Sequence, residues 1–427
     1  MTTYRSMWAA TANKRKERPV LQGRASCDVV IIGGGFTGLS TAYHLQQNGC
    51  QTIVLEKESA AFGASGRNGG EVLTGFAIPM SKIAKSKGIK TAKQMFRLSL
   101  DAVDLVEAII HKHRIKCDFK KSGAFIAAAK PSHLESLKKE QEILQRDFNY
   151  PVKIIEKKDL ETELRTSYYC GGSVDENSAH FHPLNYALGL AEAAEVLGAS
   201  IYEHSEVLKI HHTANRKVVV TTDRGQVTAR AVVIATNAYS GPLNRNIQKS
   251  VVPVESIMIA TEPLSEELME SLIKKNRAVY DTKHLLFYFR RTADNRLAFG
   301  GSGSSYSKQD WEKRYANLHR GMLDVFPELK NVRIEYQWGG KVGFARERLP
   351  QLGQLDDGTH FAFGFAGHGA ALTTMAGKLI AESIINGGDV TSPLRKESVR
   401  PFPFFSQHAK AVGIMKLYYQ WLDRVSR

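Results

Sequence analysis

The sequence predicts an α/β chain, α+β overall, in which one Rossmann-like dinucleotide-binding domain is interrupted by an inserted substrate domain. Three observations carry this. A glycine-rich turn joins a β-branched run to a helical stretch near residue 33. Nucleotide-type strand and helix features recur in the middle and near the end of the chain. Mixed helical and strand blocks separate them, which fits one discontinuous cofactor domain better than two domains in series.

Residues 1–26 are polar and basic, with Trp8 and Val20-Leu21 the only sizeable apolar groups, and are expected to form an arm laid over the surface. Val29-Val30-Ile31-Ile32 is a continuous β-branched run, as a buried parallel strand requires. A helix follows with Leu39, Ala42 and Tyr43 on one side, then a second strand at Thr52-Ile53-Val54-Leu55. This unit takes about 30 residues, the length of a βαβ crossover. Residues 90–115 and 131–147 read as amphipathic helices around a strand at 124–129, and residues 182–197 as another helix. Strands are expected near 201–211, 217–222 and 231–236. A largely β region spans 250–340, with strand composition at 251–261, 285–291 and 296–300. A strand at 361–365 and a helix at 370–385 close the predicted order.

A chain of 427 residues, 43% of them hydrophobic, can bury a core of two or three domains. The net charge of +15 favours anionic partners. The basic runs at 14–16, 82–93 and 112–116 read as solvated surface. None has the interleaved aromatics of a nucleic-acid module, so no nucleic acid is expected as partner. The four cysteines form no CxxC pair and read as reduced thiols without a metal site. His180 and His182 lack acidic or thiol companions and read as structural. No window approaches the ~18 apolar residues that span a bilayer, and no signal-type stretch opens the chain. The expectation is a cytoplasmic enzyme.

Gly33-Gly34-Gly35-Phe36-Thr37-Gly38 satisfies G-x-G-x-x-G at the end of one strand and the start of a helix. Gly33 allows the tight turn, Gly35 lets backbone approach a pyrophosphate, and Gly38 lets helix and strand pack closely. Phe36 and Thr37 open the helix, whose N-terminus offers free N–H groups to phosphate. Glu56 ends the second strand, with Lys57 after it. An acid there accepts hydrogen bonds from ribose hydroxyls and repels a 2′-phosphate. The next segment, Gly63-Ala64-Ser65-Gly66-Arg67-Asn68-Gly69-Gly70, is dense in small residues and backbone N–H groups where a simple NAD enzyme would place a crossover helix. It favours a flavin. So does the strand Val232-Val233-Ile234-Ala235. So too does the late turn Gly364-Phe365-Ala366-Gly367-His368-Gly369, whose following helix can offer its N-terminus to a developing negative charge.

These residues resemble the glycine oxidase, sarcosine oxidase and D-amino-acid oxidase superfamily of FAD amine oxidoreductases. Within it they are most like the branch that oxidises gamma-glutamylputrescine. The likeness runs nearly end to end, through residues 8–13, 27–38, 63–70, 182–185, 292–296 and 365–369, and is most specific at 65–70 and 292–296. It implies that Gly33, Gly35, Phe36, Thr37, Gly38, Glu56, Lys57, Ser65, Arg67, Asn68, Gly69, Gly70 and Ala235 contact FAD. Val207 would meet the adenine side through its backbone, and Gly367, His368 and Gly369 would lie near the flavin ring. It also implies a substrate domain on a large antiparallel sheet. The expected division is an FAD-binding domain at 1–80, 155–250 and 336–395, a substrate domain at 81–154 and 251–335, and a tail at 396–427.

The departures direct the chemistry. Members that oxidise amino acids carry W-x-G-x-R for the carboxylate; here Trp338-Gly339-Gly340-Lys341 is followed by Val342. No second arginine follows His368. The strand at 296–299 lacks the lysine that speeds oxygen reaction in some relatives, and no tethering cysteine lies near Gly343-Phe344, so noncovalent FAD is expected. The expected reaction is oxidation of a primary or secondary amine by hydride transfer to flavin N5, then imine hydrolysis and reoxidation by oxygen, in polyamine catabolism. The alternative is a membrane-associated dehydrogenase passing electrons to quinone. Tyr288 and His368 are the catalytic candidates, and Tyr288, Arg290 and Trp338 the substrate candidates. Phe287, Phe289 and Tyr306 are further aromatic candidates for the pocket wall. Arg346 and Arg348 could meet a remote carboxylate. Residues 414–427 form an amphipathic, aromatic-rich segment, read as a capping helix or oligomer contact and alternatively as a peripheral membrane contact.

Overall fold

The computed structural model describes residues 6–215, 217–302 and 311–425. A six-stranded sheet lies in the spatial order Gln351–Gln354, His360–Phe363, Ala231–Ile234, Val29–Ile32, Thr52–Leu55, Ser200–Tyr202. Its strands run parallel except for the first. The continuous apolar runs are explained by layers on both faces. Val29, Ile31, Val54 and Val233 point into a core shared with helices Phe36–Gln47, Pro183–Val196 and Gly369–Asn386. Their neighbours Val30, Ile32, Ile53, Leu55, Val232 and Ile234 pack against a four-stranded sheet that carries Val218, Val220 and Val227.

The second large sheet has eight strands: Ile334–Phe344, Val252–Thr261, Leu297–Ser302, Phe287–Arg291, Ala278–Asp281, Ala124–Ala127, Gly171–Asp175 and Lys153–Glu156. Every pair is antiparallel except Ala278–Asp281 with Ala124–Ala127. One face is covered by helix Trp311–Val325, whose Tyr315, Leu318 and Met322 join Phe289, Phe299 and Ile257. The other face carries Met258, Ala298, Trp338 and Tyr288. The 155–250 segment serves both sheets, since Gly171–Asp175 belongs to the eight-stranded one and Ala231–Ile234 to the parallel one.

Two expectations need correction. Residues 250–340 are not simply β, because the 15-residue helix Trp311–Val325 crosses the sheet; its apolar residues follow a helical period. The N-terminal segment is not only a surface arm. Ser6 caps a short helix, Met7–Ala10, and Trp8 is 1% exposed, wedged edge-on against Trp338 and His182. Gly23–Ser26 then forms an edge strand beside Gly225–Ala229.

Candidate cofactor and substrate cavity

Between the two large sheets lies a cavity of about 3230 Å³. Ordinary small-molecule pockets hold roughly 300–1,000 Å³, so there is room for an extended dinucleotide and a second, smaller ligand. Of the sequence-predicted residues, Gly33, Gly35, Phe36, Thr37, Glu56, Lys57, Ser65, Arg67, Asn68, Gly69, Val207, Ala235, Tyr288, Trp338, Gly367, His368 and Gly369 all line it.

The glycine turn shows why side chains are excluded. Gly33 has φ +108°, and a Cβ there would meet the Ala235 carbonyl at 3.0 Å. A Cβ on Gly38 would lie 2.0 Å from the Gly33 carbonyl. Gly38 therefore lies outside the cavity lining and serves the contact between helix and turn. The helix Phe36–Gln47 starts without a side-chain cap of its own; Ser65 Oγ accepts the Phe36 N–H instead, at 2.9 Å. That places the 63–70 loop directly over the helix N-terminus. Glu56 accepts N–H bonds from Gly34 at 2.7 Å and Glu58 at 2.9 Å. Burial raises its carboxyl above the usual range, and those two N–H groups partly offset it. Lys57 pairs with Glu206 at 2.8 Å.

The loop is held by three side chains from elsewhere. Trp8 Nε1 donates to the Asn68 carbonyl at 2.8 Å, and Trp338 Nε1 donates to the Arg67 carbonyl at 3.0 Å. Arg290 donates through Nε to the Gly69 carbonyl at 2.7 Å and through a terminal nitrogen to the Phe181 carbonyl at 2.6 Å. A Cβ on Gly70 would meet that Phe181 carbonyl at 2.1 Å, so Gly70 packs away from the cavity.

This corrects the placement of Arg290. It is 3% exposed, does not line the cavity, and lies over the Trp8 ring at 4.9 Å. Burial lowers its pKa to about 10. Its donors are turned to backbone carbonyls and to the His180 ring. Arg67 likewise donates to the Phe62 carbonyl at 2.7 Å, and it makes no ion pair among the described residues. His182 caps helix Pro183–Val196 by accepting the Asn185 N–H. Phe287 and Phe289 belong to the core under the far face of the sheet. Tyr306 lies outside the described residues. Arg346 and Arg348 line the cavity, as do Lys283, just past strand Ala278–Asp281, and Lys341, on strand Ile334–Phe344.

Tyr288, on the eight-stranded sheet, and His368, in the turn that follows strand His360–Phe363 of the parallel sheet, both line the cavity. Tyr288 exchanges a hydrogen bond with Ser256 Oγ at 2.9 Å, and burial pushes its hydroxyl pKa up. His368 sits ahead of helix Gly369–Asn386, edge-on to the Tyr280 ring. Burial lowers its imidazole to about 4, so it is neutral near pH 7. Ala366 and Gly367 take positive φ values of 51° and 89° to make that turn. The sequence reading missed Glu71. This residue follows the loop, lines the same cavity, and has a buried Oε1 without a hydrogen-bond partner among the described residues. No sequence pattern marks it; only its place one residue past the glycines does.

Residues 28–383 match the family described as DAO, FAD dependent oxidoreductase. The chain is a member of that family. It is a flavoenzyme that uses FAD, and the glycine cradle, the acid at Glu56 and the length of the cavity suit that cofactor. This oxidoreductase is 37% identical over 399 residues to gamma-glutamylputrescine oxidoreductase of Escherichia coli, covering 93% of each chain. It is 36% identical to a probable oxidoreductase of Haemophilus influenzae, over 98% of this chain and 97% of that one. The glycine oxidase structure from Geobacillus kaustophilus superposes with a TM-score of 0.75 at 22% identity, over 89% of this chain and 100% of that one. The fold predicted from the sequence is thus the fold of the family.

Proposed function

We propose that this flavoenzyme oxidises a small primary or secondary amine without an α-carboxylate, of the gamma-glutamylputrescine type, with noncovalent FAD and oxygen as acceptor. The observation that carries the substrate class is Arg290. Buried Arg290, two residues past Tyr288, spends its N–H groups on backbone carbonyls and the His180 ring, so it forms no clamp for an α-amino-acid carboxylate. The relative of E. coli supports the same class. In this reading the parallel-sheet unit holds FAD along the 33–38 turn, Glu56 and the 65–70 loop, and the eight-stranded sheet closes over the substrate. Bound FAD supplies the two-electron oxidation of the carbon–nitrogen bond. Tyr288, Trp338 and Tyr280 wall off water, and neutral His368 offers no charge that would repel an ammonium group.

A second reading keeps the amine but passes electrons to a quinone at a membrane surface. It is favoured by the terminal helix His408–Val425, where Ile414, Leu417, Tyr418 and Trp421 form one exposed stripe, 70%, 67%, 51% and 55% accessible. Among the described residues no helix is long and apolar enough to cross a membrane. One experiment addresses both readings. The flavin of the purified protein is mixed anaerobically with gamma-glutamyl-putrescine, putrescine, sarcosine, glycine and D-alanine. Bleaching by the first two is expected; bleaching by glycine or D-alanine alone would overturn the proposal. The reduced enzyme is then mixed with oxygen or a soluble quinone, and the faster partner identifies the acceptor.

A further inference from the structure

Glu71 begins the two-residue strand Glu71–Val72, paired antiparallel with Ala179–His180. It stands where the cofactor loop ends and the eight-stranded sheet begins. A Cβ built on Gly69 would touch the Tyr288 ring at 3.0 Å and the Glu71 side chain at 3.7 Å, so carboxylate and phenol ring flank the same short piece of backbone. The carboxylate lines the cavity, yet Oε1 is buried and accepts no hydrogen bond among the described residues. A buried carboxylate oxygen without a donor costs free energy unless a ligand supplies one. Arg290 is the cation near it, and its N–H groups are directed to Gly69, Phe181, Arg291 and His180.

We propose that Glu71 is the cation-recognition site of this cavity: its carboxylate meets the protonated nitrogen of the amine substrate and takes its proton. The inference rests on the amine reading given above. The step is balanced: one N–H bond of the ammonium breaks, one O–H bond forms on Glu71, and the freed lone pair leaves a neutral amine, the form from which the neighbouring C–H can be lost as hydride. An alkylammonium has a pKa near that of lysine, about 10.4, so this proton must go somewhere at neutral pH.

The groups facing Glu71 are consistent with that task. Arg290 and Tyr288 come from strand Phe287–Arg291, Tyr280 from Ala278–Asp281, and His180 from the paired strand. Burial raises the Glu71 carboxyl to about 8, while Arg290 lowers it. The imidazole of His180 is held neutral, at about 3, by burial and by Arg290. Arg290 is thus the one charged side chain among these partners. Glu71 is placed to exchange a proton near neutral pH.

The test uses Glu71→Gln in the FAD-loaded full chain, with flavin reduction followed anaerobically at varied putrescine and gamma-glutamyl-putrescine concentrations from pH 6 to 10. In the wild type, kcat/KM should rise through a limb near pH 8. In Glu71→Gln it should fall by about 100-fold at pH 7, and its limb should move up to the pKa of the amine itself. FAD content and reduction by dithionite should not change. Glu71→Asp should keep the limb at lower efficiency; if Glu71→Gln fails to hold FAD, this variant carries the comparison, and an unmoved efficiency in it would overturn the inference. An unchanged pH profile in Glu71→Gln would overturn the role of Glu71 and leave amine oxidation standing. A wild-type flavin reduced by dithionite but by no amine would instead remove the amine reading itself.

Discussion

Arg290 and Glu71 lie on neighbouring pieces of backbone, yet they answer different physical demands. A guanidinium presents five donors in a fixed fork, and at position 290 the carbonyls of Gly69, Phe181 and Arg291 take them up. These are charge-assisted bonds inside a buried junction, and each is worth about 1.5–3 kcal/mol. Arg290→Met should therefore lower stability by about 3 kcal/mol or more, read from the midpoint of urea unfolding. It should also reduce FAD occupancy, because Gly69 is no longer anchored. If Arg290 instead held a substrate carboxylate, stability would stay within about 0.5 kcal/mol and only KM would rise. The sequence places an arginine two residues past Tyr288 but gives no sign of what its guanidinium binds. Alternation along the strand puts it on the face of Tyr288, but the partners that claim Arg290 lie 109 and 221 residues away, so the sequence does not show that its donors are taken up. Glu71 escaped notice for the same reason. A carboxylate becomes distinctive only when nothing bonds to it, and that is a property of the fold.

At the scale of the element, the pattern of apolar residues was enough for the parallel strands and the first crossover. Four consecutive β-branched or aliphatic residues have no amphipathic solution other than burial on both faces, and Val29–Ile32 and Thr52–Leu55 are buried throughout. The helix Trp311–Val325 was hidden because its polar residues dominate the window and strands flank it on both sides. The burial of Trp8 is not legible because the short apolar run Met7–Ala10 stands in a segment that is otherwise polar and basic, while its neighbours in space, Trp338 and Arg290, lie far along the chain. The terminal helix His408–Val425 was legible as an element but not in its attachment. Asp423 accepts the backbone N–H groups of His284 and Leu285, each at 3.1 Å, and Tyr419 stacks on the His284 ring. Burial pushes the Asp423 carboxyl up, but those N–H groups and His284 outweigh it and leave the pKa lowered. A depressed carboxyl stabilises above its unfolded value of about 3.9, so the latch holds at neutral pH and is lost as acid passes through the folded value. Asp423→Asn should cost about 1 kcal/mol locally. That appears as roughly fivefold faster amide hydrogen exchange in 408–425 at pH 7, with exchange in the parallel sheet unchanged. Equal exchange in both proteins would show that the helix is held by other contacts.

For the molecule as a whole, the cavity separates two sheets that have largely distinct cores. Direct ties across it include the indoles of Trp8 and Trp338, Arg290, the Ala366 N–H on the Gly343 carbonyl and the Lys341 N–H on the Tyr239 hydroxyl. A dinucleotide seated in the cavity would touch the 33–38 turn at one end and the wall with Tyr288 at the other, so it ties the two units together. Such a ligand stabilises only the folded state, by RT ln(1 + [L]/Kd), about 2.7 kcal/mol at one hundred times Kd. The unfolding entropy of about 2.1 cal/mol/K per residue turns this into a rise in Tm of about 3 °C for the whole chain. Deflavinated protein should therefore melt about 3 °C lower than protein in that excess of FAD, and the two units should melt together when FAD is present. If apoprotein melts in two steps, the lower step should be the one that FAD moves. A Tm indifferent to FAD over that concentration range would mean that the cavity between the sheets is not where the cofactor sits.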